Sequence, residues 1–254
     1  MSNVLGADDL LVGALAAAAM LGLWVIVEGG RLSQLRERWA AILMTVLAAA
    51  AFAIVAEDVL FQEHGDLILS LDARARATVQ ALDHRLTVTV ASMVSRLTGE
   101  GLVGLVLGTA GTLLTMRRRR DAAIIVAGTL GAWLLANGLK LAFAVTRPRG
   151  YHTVHTISHY AFPSDHVVVT LVAVGLIAWV LGRDLSPRGR FAFYAAAVAV
   201  TALTGAARVV LDAHWLSDVV AGFAVGLVWL CAVVEAASRP KTRGAPGLAP
   251  VVSR

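Results

Sequence analysis

Seven long apolar runs, separated by short polar stretches, dominate the chain: about Leu10 to Val27, Ala40 to Ala56, Gly101 to Met116, Ala122 to Val145, Pro163 to Leu181, Phe191 to Ala207 and Ala213 to Ala236. A segment of about 20 apolar residues can cross hydrocarbon as a helix, because a helix satisfies its own backbone hydrogen bonds. The pattern therefore predicts an all-α protein, a polytopic transmembrane helical bundle. Between the second and third runs the periodicity changes. Leu71, Ala75, Val79, Leu82, Leu86, Val90, Met93 and Leu97 recur every three or four residues, with Arg74, Arg76, Asp83 and Arg85 among them. That spacing predicts one or two amphipathic helices, lying on the membrane surface or packed on the bundle and flanking a route for lipid entry.

Composition supports the membrane reading. Of 254 residues, 58% are hydrophobic and 15% charged, and the mean hydropathy is +0.74; an average soluble domain has roughly 25% charged residues. The net charge of +5 does not indicate nucleic acid, because the basic residues form short clusters between apolar runs. Cys231 is the only cysteine, so there is no intrachain disulfide. The first run follows Asp8 and Asp9 without a basic leader, so it is expected to remain as a span. The expected organisation is an extra N-terminal transmembrane helix in 1–38, one membrane domain in 39–237 and a disordered cytoplasmic tail in 238–254, rich in Pro, Gly and basic residues.

The distribution of arginine and lysine orients the bundle. With the N-terminus outside, 14 basic residues fall in cytoplasmic segments, including Arg117 to Arg120 and Arg183, and 6 fall outside, including Arg147 and Arg149. The segment from Thr146 to Phe162 is then extracytoplasmic.

Ionisable groups near hydrocarbon are expensive, about 2.5–3.5 kcal/mol each at a helix centre, so those at span ends need a reason. Lys140 is one of two lysines beside 20 arginines. It can snorkel to the interface, or it can join Arg147, seven residues on, which Pro148 places on the loop folding back over the helix end. Pro163 suits a first helical turn, which would leave the N–H groups of Ser164, Asp165 and His166 pointing at an anion, with the Ser164 hydroxyl as a further donor and His166 as a proton source. The same string also reads as an ordinary helix cap. His214 and Asp218 are four apart, so on one helix they share a face. The carboxylate can accept the Nδ1 proton and leave Nε2 free to attack, or the two can form a plain local pair. Arg208 adds a third cation. Together these groups match a phosphoryl group, whose spread negative charge needs positioning and electrostatic stabilisation.

Lys140-x6-Arg147-Pro148, Pro163-Ser164-Asp165-His166 and Arg208-x5-His214-x3-Asp218 resemble, in order, the three signature motifs of the type 2 phosphatidic acid phosphatase family. The resemblance implies a six-helix phosphatase core, to which this chain adds one N-terminal span. It implies a metal-independent lipid phosphatase of the plasma membrane with its site on the extracytoplasmic face and no cofactor. It implies catalytic roles for His214 as nucleophile, Asp218 as its orienting group and His166 as proton donor, with Lys140, Arg147, Ser164, Asp165 and Arg208 around the phosphate.

Two positions depart from the family pattern: Asp165 stands where Gly is usual, and Ala207 where Ser is usual. An Asp in that slot is similar to the form seen in undecaprenyl diphosphate phosphatases, which favours a polyprenyl diphosphate over phosphatidic acid or phosphatidylglycerol phosphate. A carboxylate there would repel phosphate unless it pairs with Arg147, Arg149 or Arg208. His152, His155 and His159 have a spacing that suits zinc, but with no cysteine nearby and few carboxylates they read as structural or gating residues. The resemblance also implies a phosphohistidine on His214; the competing readings are a phosphotransferase using the same phosphohistidine and a transporter or scaffold. A transporter would spread charges at the bilayer midplane, whereas here they cluster at span ends. A haloperoxidase, which shares such a site, is expected to be soluble.

Overall fold

A computed structural model describes residues 34–61, 66–81, 84–147 and 160–239. These form eight helices: α1 (Gln34–Phe61), α2 (Asp66–Gln80), α3 (His84–Thr98), α4 (Glu100–Thr115), α5 (Arg119–Phe143), α6 (Asp165–Gly182), α7 (Pro187–Val210) and α8 (Leu216–Ser238). Among the described residues, six candidate membrane spans are long and apolar enough to cross a bilayer. The expected first span and the zinc-spaced histidines lie outside the described residues, as does the tail beyond Arg239.

α6 is apolar all round and sits at the centre, packed against α5, α7 and α8. Of its membrane-length window 61% is buried, against 22% for α1. Small residues let its neighbours approach. A Cβ at Gly222 of α8 would lie 2.9 Å from the Ser164 carbonyl oxygen, so a larger residue there would push α8 away from the start of α6.

The amphipathic segment folds as two helices. The second, α3, runs into α4 across Gly99, and residues 85–115 together form one 31-residue span candidate. The fifth and seventh runs start later than their hydrophobicity suggests. Pro163 precedes the helix, with Ser164 at the N-cap of α6, and α8 begins at Leu216 after Trp215. Apolar residues in both lead-ins (Ala161, Phe162 and Ala213) are buried as loop, which hydrophobicity alone does not distinguish from helix.

Alternating connectivity brings the C-terminal ends of α5 and α7 to the same end of the bundle as the N-terminal ends of α6 and α8. Ala144 ends α5 in the left-handed conformation (φ 51°), donating its N–H to the Lys140 carbonyl. Thr146 then pairs with Tyr160 in an antiparallel bridge, and Ala161 N–H donates to Val145 O at 2.7 Å. This closure brings residues 160–164 back over the end of α5. Phe52, Phe143 and Phe162 pack beneath it, with ring centroids 5.0–5.9 Å apart.

Candidate active site

Each motif residue reaches the same end of the bundle by a different local device. Lys140, 1% exposed on the last turn of α5, donates to the carbonyls of Tyr160 (3.0 Å) and Ala161 (3.3 Å). Arg147, beyond that helix, donates from Nη1 to Ala213 O at 2.7 Å. Arg208 closes α7, and the N–H groups of Ala213 and His214 both turn back onto its carbonyl oxygen at 3.0 and 3.3 Å. That turn sets His214 beside Arg208, in a loop ahead of α8 rather than on the helix.

The His214–Asp218 pair nevertheless forms. Asp218 sits in the first turn of α8, and its Oδ2 folds back to lie 3.2 Å from His214 Nδ1 while accepting the Trp215 N–H at 2.9 Å. Both side chains are essentially buried. With the proton on Nδ1 donated to Asp218, Nε2 carries a lone pair, and Arg147 Nη1 stands 3.5 Å from it. Burial, and beyond it the positive charges of Lys140 and Arg208, hold the His214 imidazole well below its ordinary pKa, which keeps it neutral.

Asp165 faces these groups from α6. Its Oδ1 lies 3.2 Å from Lys140 Nζ, 3.5 Å from His166 Nδ1 and 3.8 Å from His214 Nε2. Its carboxylate thus pairs with Lys140, a cation not among the arginines considered from sequence; Arg149 lies outside the described residues. The reason is register: Asp165 opens α6 directly above the last turn of α5. The first turn of α6 is also less open than its sequence suggests, because Ser164 N–H donates to Asp218 O at 3.0 Å. The Ser164 hydroxyl is fully buried and has no hydrogen-bond partner, so it is available to an incoming oxygen.

Two contributors were not identified from sequence. Ser95 of α3 accepts from Arg208 Nη1 at 2.9 Å. Asp72 of α2 accepts from both the N–H and the hydroxyl of Ser217, at 2.8 and 2.7 Å. Ser95 carries no signal in the sequence. Asp72 carries a weak one, since it falls in phase with Ile68 and Ala75 on the face that the helix buries.

The fold and the site thus define a membrane helical bundle with three cations, a neutral imidazole and a free hydroxyl gathered at one end, a set suited to a phosphoryl group. Residues 121–241 match the model of the PAP2 superfamily. Two lipid A 1-phosphatases, from Rhizobium etli and Rhizobium johnstonii, are each 36% identical over 137 residues, covering 47% of this chain and 55% and 52% of theirs. The chain spans about half the length of the curated relatives it matches. The crystal structure of a transmembrane PAP2 type phosphatidylglycerolphosphate phosphatase from Bacillus subtilis shares the fold, with a TM-score of 0.67 at 24% identity over 75% of this chain and 94% of that one. Residues 121–241, which hold the site, are thus similar to the PAP2 superfamily, and the bundle has the fold of a transmembrane PAP2 type phosphatase.

Proposed function

We propose that this protein is a metal-independent lipid phosphatase that works through a phosphohistidine, with residues 39–237 as its catalytic domain. The observation that carries the reading is the neutral, buried His214, whose Nδ1 is engaged by Asp218 and whose Nε2 faces Arg147. In the first step Nε2 attacks phosphorus as the bond to the leaving oxygen breaks, and His166 gives that oxygen a proton. Asp218 stabilises the positive charge that develops on the imidazole. Lys140, Arg147, Arg208 and the Ser164 hydroxyl hold the three peripheral oxygens. In the second step water attacks the phosphohistidine, His166 takes its proton, and His214 leaves with its electron pair restored.

Asp165 is the resting occupant of this cradle. Its carboxylate accepts from Lys140 where a phosphate oxygen would otherwise sit, and it yields when substrate binds. The excess of basic residues at the other end of the bundle supports a site on the extracytoplasmic face of the plasma membrane.

The Pro163-Ser164-Asp165-His166 string favours a polyprenyl diphosphate such as undecaprenyl diphosphate. The names of the relatives add lipid A 1-phosphate and phosphatidylglycerol phosphate as candidates. Phosphate release from these three lipids and phosphatidic acid, by purified protein in detergent with EDTA, separates them. Turnover is expected to persist in EDTA and to fall by several powers of ten in His214→Ala. Activity restored only by a divalent ion, or near-normal activity in the variant, would overturn the mechanism. Phosphate delivered to a second lipid instead of water would make the protein a phosphotransferase with the same intermediate.

A further inference from the structure

The first turn of α8 carries Asp218, yet its N-cap residue, Trp215, makes no side-chain capping bond. The exposed donors of a helix start must be met by some acceptor. Asp218 Oδ2 meets the Trp215 N–H, and a second acceptor comes from a helix 145 residues earlier in the chain: the Asp72 carboxylate takes the Ser217 N–H on Oδ1 and the Ser217 hydroxyl on Oδ2. Both oxygens accept, the pattern of an ionised carboxylate. Asp72 is 8% exposed, and a buried charge needs a purpose beyond filling space.

Apolar packing joins α2 to α8 about a turn further on, where Ile68 and Ala221 share a buried cluster, but the start of α8 is less filled. Asp72, Ser217 and Asp218 all border a cavity of about 520 Å³, so the α8 start is tied to α2 by hydrogen bonds across incompletely filled space. Asp218 itself has limited anchorage. Its Oδ2 serves His214 and Trp215, and its buried Oδ1 has no hydrogen-bond partner. The direction of its carboxylate therefore follows the position of the helix turn that bears it.

We propose that Asp72 is a positioning residue for the nucleophile: by capping α8 at Ser217 it fixes the Asp218 carboxylate against His214 Nδ1 and adds a second negative charge behind the pair. The proposal rests on His214 being the attacker. Asp72 touches neither substrate nor the reacting atoms, so its effect falls on the chemical step.

The charges that set the His214 proton affinity come from every neighbouring element. Lys140 and Arg147 face it from the α5 end, Arg208 from α7, Asp165 from α6 and Asp218 from α8. Around Asp72 stand Asp58 of α1 and Arg76 of α2, the latter 3.3 Å from Asp212. Against this background, removing the Asp72 charge makes the imidazolium less favourable and lowers its pKa further.

The test uses full-length protein in detergent, with Asp72→Asn, Asp72→Ala and Ser217→Ala assayed on the lipid that the wild type hydrolyses best. The readouts are kcat, KM, the pH profile of kcat/KM and the melting temperature. Asp72→Asn keeps the size and one acceptor oxygen, so it is expected to melt near the wild type. Its kcat should fall ~10–100-fold, the usual cost of losing an orienting partner, with KM within about twofold. The acid limb of kcat/KM, which reports the free enzyme, should move to lower pH. Ser217→Ala keeps the N–H bond and should show a smaller fall. A wild-type kcat and acid limb in Asp72→Asn, or a rise in KM alone, would overturn the proposal. So would a fall in kcat that follows the melting temperature across the three variants without moving the limb. His214→Ala, run alongside, separates the two ideas, since activity surviving there defeats the nucleophile assignment itself.

Discussion

The two ends of the bundle handle charge in opposite ways. At the end away from the site, charge closes on charge: Asp121 accepts from Arg118 at 2.8 Å and from Arg183 at 2.7 Å, and Arg118 also reaches Asp184. At the site end neutral oxygens join in orienting the cations: Lys140 donates to two carbonyls besides meeting Asp165, Arg147 donates to one carbonyl and Arg208 to the Ser95 hydroxyl. A bond to a carbonyl fixes a cation's direction without cancelling its charge, whereas an ion pair does both. The comparison teaches how an anion site differs from a structural salt cluster: neutral oxygens take part in orienting its cations, and they do so without cancelling charge.

Paired substitutions break this contrast if it is wrong. Arg208→Ala is expected to lower kcat/KM by roughly 10²–10³-fold, the usual cost of one donor to a developing anion. Arg183→Ala, at the exposed far-end cluster, should leave kcat/KM within about twofold and cost less than ~1 kcal/mol of stability. Steady-state kinetics of both variants on one lipid decide it, and equal losses would end the distinction between the two ends.

A smaller effect sharpens the role of Asp165, the carboxylate that closes on Lys140. In Asp165→Asn, inhibition by inorganic phosphate should tighten by up to about tenfold, ~1.4 kcal/mol, because the occupant that competes for Lys140 loses its charge. Weaker inhibition in that variant would mean that Asp165 helps to hold phosphate through His166.

The same contrast explains what could be read from sequence. The apolar runs match the described spans to within about four residues except at the start of the third, where α3 extends the span candidate back to Arg85, because hydrocarbon imposes length and composition directly. Their ends at Pro163 and Ala213 were misplaced, because buried loop residues there are as apolar as helix. The site residues of α5 to α8 could be grouped because their motifs lie at the ends of consecutive spans, and alternation carries those ends to one side. The Lys140–Asp165 pair could not be foreseen, since it depends on the register of α6 over α5. Asp72 with Ser217, and Ser95 with Arg208, are joined across 145 and 113 residues. No local spacing encodes a contact between a peripheral amphipathic helix and the start of a central one.

The covalent intermediate is the central claim, and it can be seen directly. Purified protein mixed for milliseconds with lipid carrying a radiolabelled phosphate, then quenched in alkali, should retain label that is stable to base and lost in acid. Peptide mapping should place that label on His214. Label stable to acid and mapped to Ser164, or turnover with no trapped phosphoprotein at any quench time, would contradict the account.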